Sequence, residues 1–185
     1  MKRVSVIGTT GSGKTTFARA LGAVIGAPHV ELDRLFWEPD WKMAELETFR
    51  VRVRSAITGE RWVVDGNYRA AGALELVWSR ADTVVWLDYP LPLTLVRLAR
   101  RVVARIRDGA ELWPGTGNRE TVRNAFFNRD SLLCFALRTH RGRRRRLAEM
   151  LTRTEFAHLA VYRFRHTRDA DHWLEAQRQL VAARI

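Results

Sequence analysis

Apolar runs and helical-period stripes alternate along this chain. Val4, Val6 and Ile7 form a short run ending at Gly8, the pattern of a strand covered on both faces. Phe17, Leu21, Val24 and Ile25 then fall at helical spacing. His29–Leu32 reads as a second short strand ending at Asp33. After it come the aromatic residues Phe36, Trp37 and Trp41, then a predicted helix across Ala44–Thr58. Arg61–Val64 predicts a third strand running into Asp65-Gly66-Asn67-Tyr68-Arg69, and the apolar run Thr83–Leu87 a fourth, ending at Asp88.

Pro90 and Pro92 reset the chain before a long amphipathic helix. Its stripe is Leu95, Leu98, Ala99, Val102, Val103 and Ile106, and its other face carries Arg97, Arg100, Arg101 and Arg105. Trp113-Pro114-Gly115-Thr116-Gly117 breaks regular structure, and a helical stretch from about Glu120 to Met150 follows, interrupted near Gly142. Leu159–Phe164 predicts a fifth strand. Trp173, Leu174, Gln177, Leu180 and Val181 predict the inner stripe of a closing helix. Alternating strand and helix predicts an α/β fold with a five-stranded parallel sheet and helices on both faces. No repeat or linker divides residues 1–185, so one domain is expected. Ligands of such sheets bind at the carboxyl ends of the strands, where Asp33, Asp65 and Asp88 all fall.

The most specific chemistry lies at the end of the first strand. Gly8-Thr9-Thr10-Gly11-Ser12-Gly13-Lys14-Thr15 is a complete G-x-x-x-x-G-K-[ST] phosphate-binding loop, with Thr16 next to it. Its glycines let backbone N–H groups curve around phosphate oxygens. Lys14 adds a cation for the β- and γ-phosphates, the Thr15 hydroxyl suits Mg²⁺, and the following helix turns its positive end to the anion. Strand, loop and helix stand in the required order, so the P-loop NTPase fold and a nucleoside triphosphate ligand, ATP or GTP, are expected.

The net charge of +12 is carried by arginine; Lys2, Lys14 and Lys42 are the only lysines. This favours anionic partners, whether nucleotides, nucleic acid or an acidic membrane surface. The dense tract Arg141–Arg146 reads as a solvated basic surface. A single cysteine, Cys134, excludes an internal disulfide and argues for a reducing compartment. Its apolar setting, Leu132–Leu137, suggests a buried structural thiol rather than a nucleophile. No signal-peptide pattern opens the sequence and no stretch approaches the roughly 18 apolar residues of a spanning helix, so a cytoplasmic protein is expected.

The loop, Leu32-Asp33-Arg34-Leu35-Phe36-Trp37, Trp62–Tyr68 and Ala81–Asp88 together resemble the adenylate-kinase-like branch of small P-loop kinases. Within it, they resemble the subgroup labelled topology modulation proteins or adenylate-kinase-related. Adenylate kinases carry D-G-F-P-R at the end of the third strand, where the aspartate holds water on Mg²⁺ and the arginine grips the acceptor phosphate. The resemblance implies a magnesium role for Asp65 and a phosphate-clamp role for Arg69, although Asn67-Tyr68 here replaces Phe-Pro. Asp33 falls where related kinases contact the acceptor, and a carboxylate there could take the proton of an acceptor hydroxyl. An Asp at that position also suits a helix N-cap. Phe36 and Trp37, with Trp41, could stack on an acceptor ring, or could be core. Residues 34–60 would be an acceptor-binding insertion and 109–150 an arginine-rich helical lid. Lid arginines reaching the transferring phosphoryl group would come from Arg97, Arg101, Arg119 and Arg123. Base contacts in such folds involve loops near the fifth strand, here Arg165-His166-Thr167.

The expected activity is Mg²⁺-dependent transfer of a γ-phosphoryl group to a small acceptor, a nucleotide or nucleoside. The alternative is a nucleotide-switched regulator associated with nucleic acid, supported by the charge and by Arg138–Arg146, but no helix-turn-helix or zinc module accompanies them. A membrane-surface role for the Leu95–Arg107 helix is disfavoured, because its apolar stripe is expected to be buried.

Overall fold

A computed structural model of the chain describes residues 1–69, 71–121 and 132–183, without the side chains of Leu132, Leu133 and Phe135. Arg123 lies outside the described residues. Five parallel strands, β1 (Arg3–Gly8), β2 (His29–Glu31), β3 (Trp62–Asp65), β4 (Thr83–Leu87) and β5 (Ala160–Phe164), form one sheet in the order β2-β3-β1-β4-β5. The predicted five-stranded parallel sheet is therefore present.

Side chains alternate across the sheet, so each strand feeds two cores. Val4, Val6, Val63, Val85 and Leu87 meet α1 (Lys14–Ile25) and α7 (Thr167–Ala182) on one face. Ile7, Trp62, Val64, Val84 and Trp86 meet α3 (Leu46–Ala56), α4 (Ala73–Trp78) and the end of α6 (Leu132–Leu151) on the other. The long helix α5 (Leu91–Asp108) packs on α6 through Leu98, Val102 and Ala136.

Several expectations need correction. The short helix α4 carries no long periodic stripe and escapes the sequence reading, yet it buries Leu74, Val77 and Trp78. Gly142 does not interrupt α6, because a helix interior accepts a glycine at a cost of only about 1 kcal/mol. Glu120 and Thr121 are not helical. Burial on α5 centres on Thr94, Leu98 and Val102, leaving Val103 58% exposed, and Leu180 on α7 is exposed too. Cys134 is half-buried. Among the described residues, no helix is long and apolar enough to cross a membrane.

Candidate active site

The glycine-rich loop joins β1 to α1 at the carboxyl edge, with β3 and β4 on either side. Gly11 has a φ of +85°, and a Cβ there would lie 2.3 Å from the Thr94 carbonyl oxygen. Only glycine permits this approach to α5. Gly13 precedes α1 in the left-handed conformation, and no side chain caps the helix. The first-turn amides of Lys14, Thr15 and Thr16 therefore remain available to an anion. Ser12 Oγ is buried in the loop without a hydrogen-bond partner, which an arriving phosphate oxygen would remedy. Lys14 Nζ donates to the Thr9 carbonyl at 3.3 Å. Burial lowers the Lys14 pKa; Asp65 and Asp33 oppose the shift, while Arg143 and Arg101 add to it.

The carboxyl end of β3 supplies the next groups. Asp65 is buried, and its Oδ2 lies 2.8 Å from His29 Nε2 on β2. Gly66 follows with a φ of +135°, and a Cβ there would stand 2.8 Å from Leu32 Cβ. The Asn67 side chain accepts a hydrogen bond from the Gly8 N–H at 3.2 Å and donates one to the Gly8 carbonyl. Tyr68 donates to Asp33 Oδ1 at 2.6 Å. Sequence reasoning assigned no role to Asn67 or Tyr68, although it set their motif apart.

The second strand ends at Glu31, one residue earlier than predicted. Asp33 is not a cap: Glu31 occupies the N-cap of α2 (Leu32–Phe36), and Asp33 lies in its first turn. Glu31 pairs in register with Asp65 and accepts from Trp113 Nε1 at 3.4 Å. Burial raises the Glu31 pKa, and the Asp65 and Asp33 carboxylates raise it further.

The aromatic residues divide. Phe36 is packed into the core against Tyr68 at 4.5 Å and Phe49 at 5.1 Å. Trp37, Trp41 and Trp113 form an edge-to-face series with centroids 5.6 and 6.0 Å apart. This series joins the segment after α2 to Trp113 in the stretch 109–121. Asn118, 1% exposed, strengthens that junction by accepting from the Trp41 N–H and donating to the Glu38 carbonyl, both at 2.9 Å.

The arginines also separate. Arg97 donates to the Ser12 carbonyl at 3.4 Å. Arg101 carries a buried Nε without a hydrogen-bond partner, and its pKa is lowered by burial and Arg105 while Glu120, Asp33 and Glu31 oppose the change. Arg69 and Arg119 are exposed. The tract Arg141–Arg146 is not uniformly solvated. Arg143 is half-buried, and burial lowers its pKa against the opposing charge of Asp33. Arg144 and Arg163 both pair with the buried Asp88, at 2.8 and 2.6 Å. His140, one turn before, lies 3.1 Å from Thr9 Oγ1 through its Nδ1. His140, Arg143 and Leu147 recur at intervals of three and four, a helical-face signal obscured by the neighbouring arginines.

Pro90 and Leu93 face Arg165, His166 and Arg168 across a cleft of about 440 Å³. This includes the loop expected to meet a base.

Strand order and glycine-rich loop together define a P-loop nucleoside triphosphatase fold. Among solved structures, the chain is similar to the shikimate kinase from Bacteroides thetaiotaomicron, with a TM-score of 0.57 and 15% identity over 98% of each chain. It is also similar to the shikimate kinase from Acinetobacter baumannii in complex with shikimate, with a TM-score of 0.54 and 18% identity over 100% of this chain and 94% of that one. The expected fold class is the one found. No family model and no curated protein matches the chain.

Proposed function

We propose that the chain is a P-loop kinase transferring the γ-phosphoryl group of ATP or GTP to a hydroxyl of a small acceptor. The reading rests on one hydrogen-bonded run: Asn67 bonds Gly8 at the start of the glycine-rich loop, and its neighbour Tyr68 donates to Asp33. This ties a carboxylate to the loop that carries Lys14, with Arg101 and Arg143 adding positive charge around it. A carboxylate able to take the acceptor's proton thus accompanies cations able to face developing phosphoryl charge. Arg143 comes from the 109–150 region proposed as the lid, and Arg101 from helix α5 that leads into it. The narrower kinship with the topology modulation subgroup rests on Leu32–Trp37 and Asp65–Tyr68 and belongs to the same proposal, as does a cytoplasmic location.

The donor set fits magnesium: Thr15 offers a hard hydroxyl oxygen and Asp65 a carboxylate able to hold a metal-bound water, and Mg²⁺ commonly keeps several waters beside its few protein and phosphate ligands. Among the described residues, no group of three or more His, Cys, Asp or Glu makes a richer metal site. When bound between Thr15 and Asp65, Mg²⁺ would neutralise charge on the β- and γ-phosphates. Lys14 and the first-turn amides of α1 hold the triphosphate, while Trp37 and Trp41 border the acceptor.

The nucleic-acid alternative draws on the exposed residues Arg138, Arg141, Arg145 and Arg146 of α6. Arg143 and Arg144, only partly exposed, serve it less, because Arg144 is paired with Asp88 and Arg143 lies under the charge of Asp33. One assay separates the readings: γ-labelled ATP and Mg²⁺ with pooled nucleotides, nucleosides, sugars and shikimate, beside Lys14→Ala. A labelled acceptor that disappears with Lys14→Ala is expected. Labelled inorganic phosphate alone, or no turnover despite ATP binding, would overturn the kinase reading and favour the regulator.

A further inference from the structure

Asp33 stands on a helix too short to fix it. α2 has five residues, and its N-cap residue Glu31 makes no side-chain capping bond. Helices this short gain little order from their own backbone. A hydroxyl from a different strand connection reaches the carboxylate: Tyr68 donates to Asp33 Oδ1 at 2.6 Å. The Tyr68 ring packs against Phe36 at 4.5 Å and Phe49 at 5.1 Å, which also touch each other, and Phe49 is fully buried. These contacts leave the hydroxyl little choice of position. Asn67, its neighbour, bonds both backbone groups of Gly8. The Asn67–Tyr68 pair therefore joins the start of the phosphate loop to the acceptor-side carboxylate.

We propose that Tyr68 is the positioning residue for Asp33, holding Oδ1 so that Oδ2 is presented to the acceptor hydroxyl. This rests on the kinase reading above. In the transfer, the acceptor oxygen forms a bond to the γ-phosphorus while the bond to the β,γ-bridging oxygen breaks. The hydroxyl proton passes to Asp33 Oδ2, and the nucleoside diphosphate leaves with the bridging oxygen. Burial and the Asp33 carboxylate both raise the Tyr68 pKa, so the phenol remains a donor throughout the working range. Reacting atoms must meet at about 3–3.5 Å, and an error of about 1 Å can cost about 10²-fold in rate. A carboxylate tethered through Asn67 to the phosphate loop meets that demand better than one carried by α2 alone.

Tyr68→Phe keeps the ring and removes only the hydroxyl. With the acceptor found by the labelled-ATP screen, kcat should fall about 10- to 100-fold while KM for ATP stays within about twofold. In an Asp33→Asn background, the same change should alter kcat by less than about twofold, as expected for residues acting as a unit. Crystals of the Tyr68→Phe protein should show Asp33 in more than one rotamer. Wild-type kcat, an undiminished effect in the Asp33→Asn background, or a single unchanged Asp33 rotamer would overturn the proposal. A wild-type protein that labels no acceptor would defeat the kinase reading, while the rotamer measurement still decides whether Tyr68 fixes Asp33.

Discussion

His140 Nδ1 lies 3.1 Å from Thr9 Oγ1, joining helix α6 to the phosphate loop across most of the sequence. The same helix sends Arg143 toward Asp33 and Arg144 to Asp88, so it touches both sides of the proposed reaction and the edge of the sheet.

The buried His140 imidazole should give this contact a pH dependence. Its pKa is lowered from 6.5 by burial and by Arg144, with Asp88 opposing and Arg141 and Arg143 adding to the shift. The unfolded chain gains its proton near pH 6.5, before the folded protein does. The folded state therefore loses stability as pH falls below about 6.5, down to the lower folded pKa, and this group has no effect above that window. His140→Gln removes the titration. Urea midpoints at pH 7.5 and 5.5 should show a larger acid loss for wild type than for His140→Gln.

Asp88 is buried between two arginines that keep 34% and 40% of their side chains exposed. Arg163 also lies over the Trp86 ring at 4.1 Å. Asp88→Asn leaves the arginines without their counter-charge, but solvent at their outer ends moderates the loss. Urea denaturation should show a cost of about 1–3 kcal/mol, less than full burial of the pair would give.

Trp78 fills the core from the missed helix α4. It stacks edge-on to Phe156 at 5.2 Å and donates from Nε1 to Ser5 Oγ at 3.1 Å. Trp78→Ala should destabilise the fold by about 3–5 kcal/mol, read by chemical denaturation. A surface role for Trp78 would predict almost no change.

Asn118 holds an unfavourable turn. Asp40 and Trp41 have φ values of 60° and 57°, a region costing about 1–2 kcal/mol for each non-glycine residue. Asn118 bonds the Trp41 N–H and the Glu38 carbonyl. Asn118→Ala should accelerate amide hydrogen exchange at Trp41 while exchange in β1 and β4 stays unchanged.

Asp65→Asn should raise the Mg²⁺ concentration for half-maximal phosphoryl transfer by about 10- to 100-fold, the range found when a residue ordering metal-bound water is lost. A magnesium titration of transfer would check this. An unchanged requirement would remove Asp65 from the metal site and leave its bond to His29 as its role.

The glycine-rich loop between β1 and α1 was legible because it is a continuous segment whose glycines, lysine and threonine have fixed spacing. The strands were legible from apolar runs, since the two faces of a parallel sheet are both covered. Helix α4 was not, because six residues span too few turns to display a stripe. Nor could spacing separate Arg143 and Arg144 from the exposed arginines beside them. Their directions depend on how α6 meets Asp33 and Asp88, more than 50 residues away in the sequence. Sequence alone determined the place of the glycine-rich loop and the alternation of elements, because both are local patterns. Tertiary structure alone decided which carboxylate, hydroxyl, imidazole and guanidinium groups share the site, because their contacts join strands and helices distant along the chain.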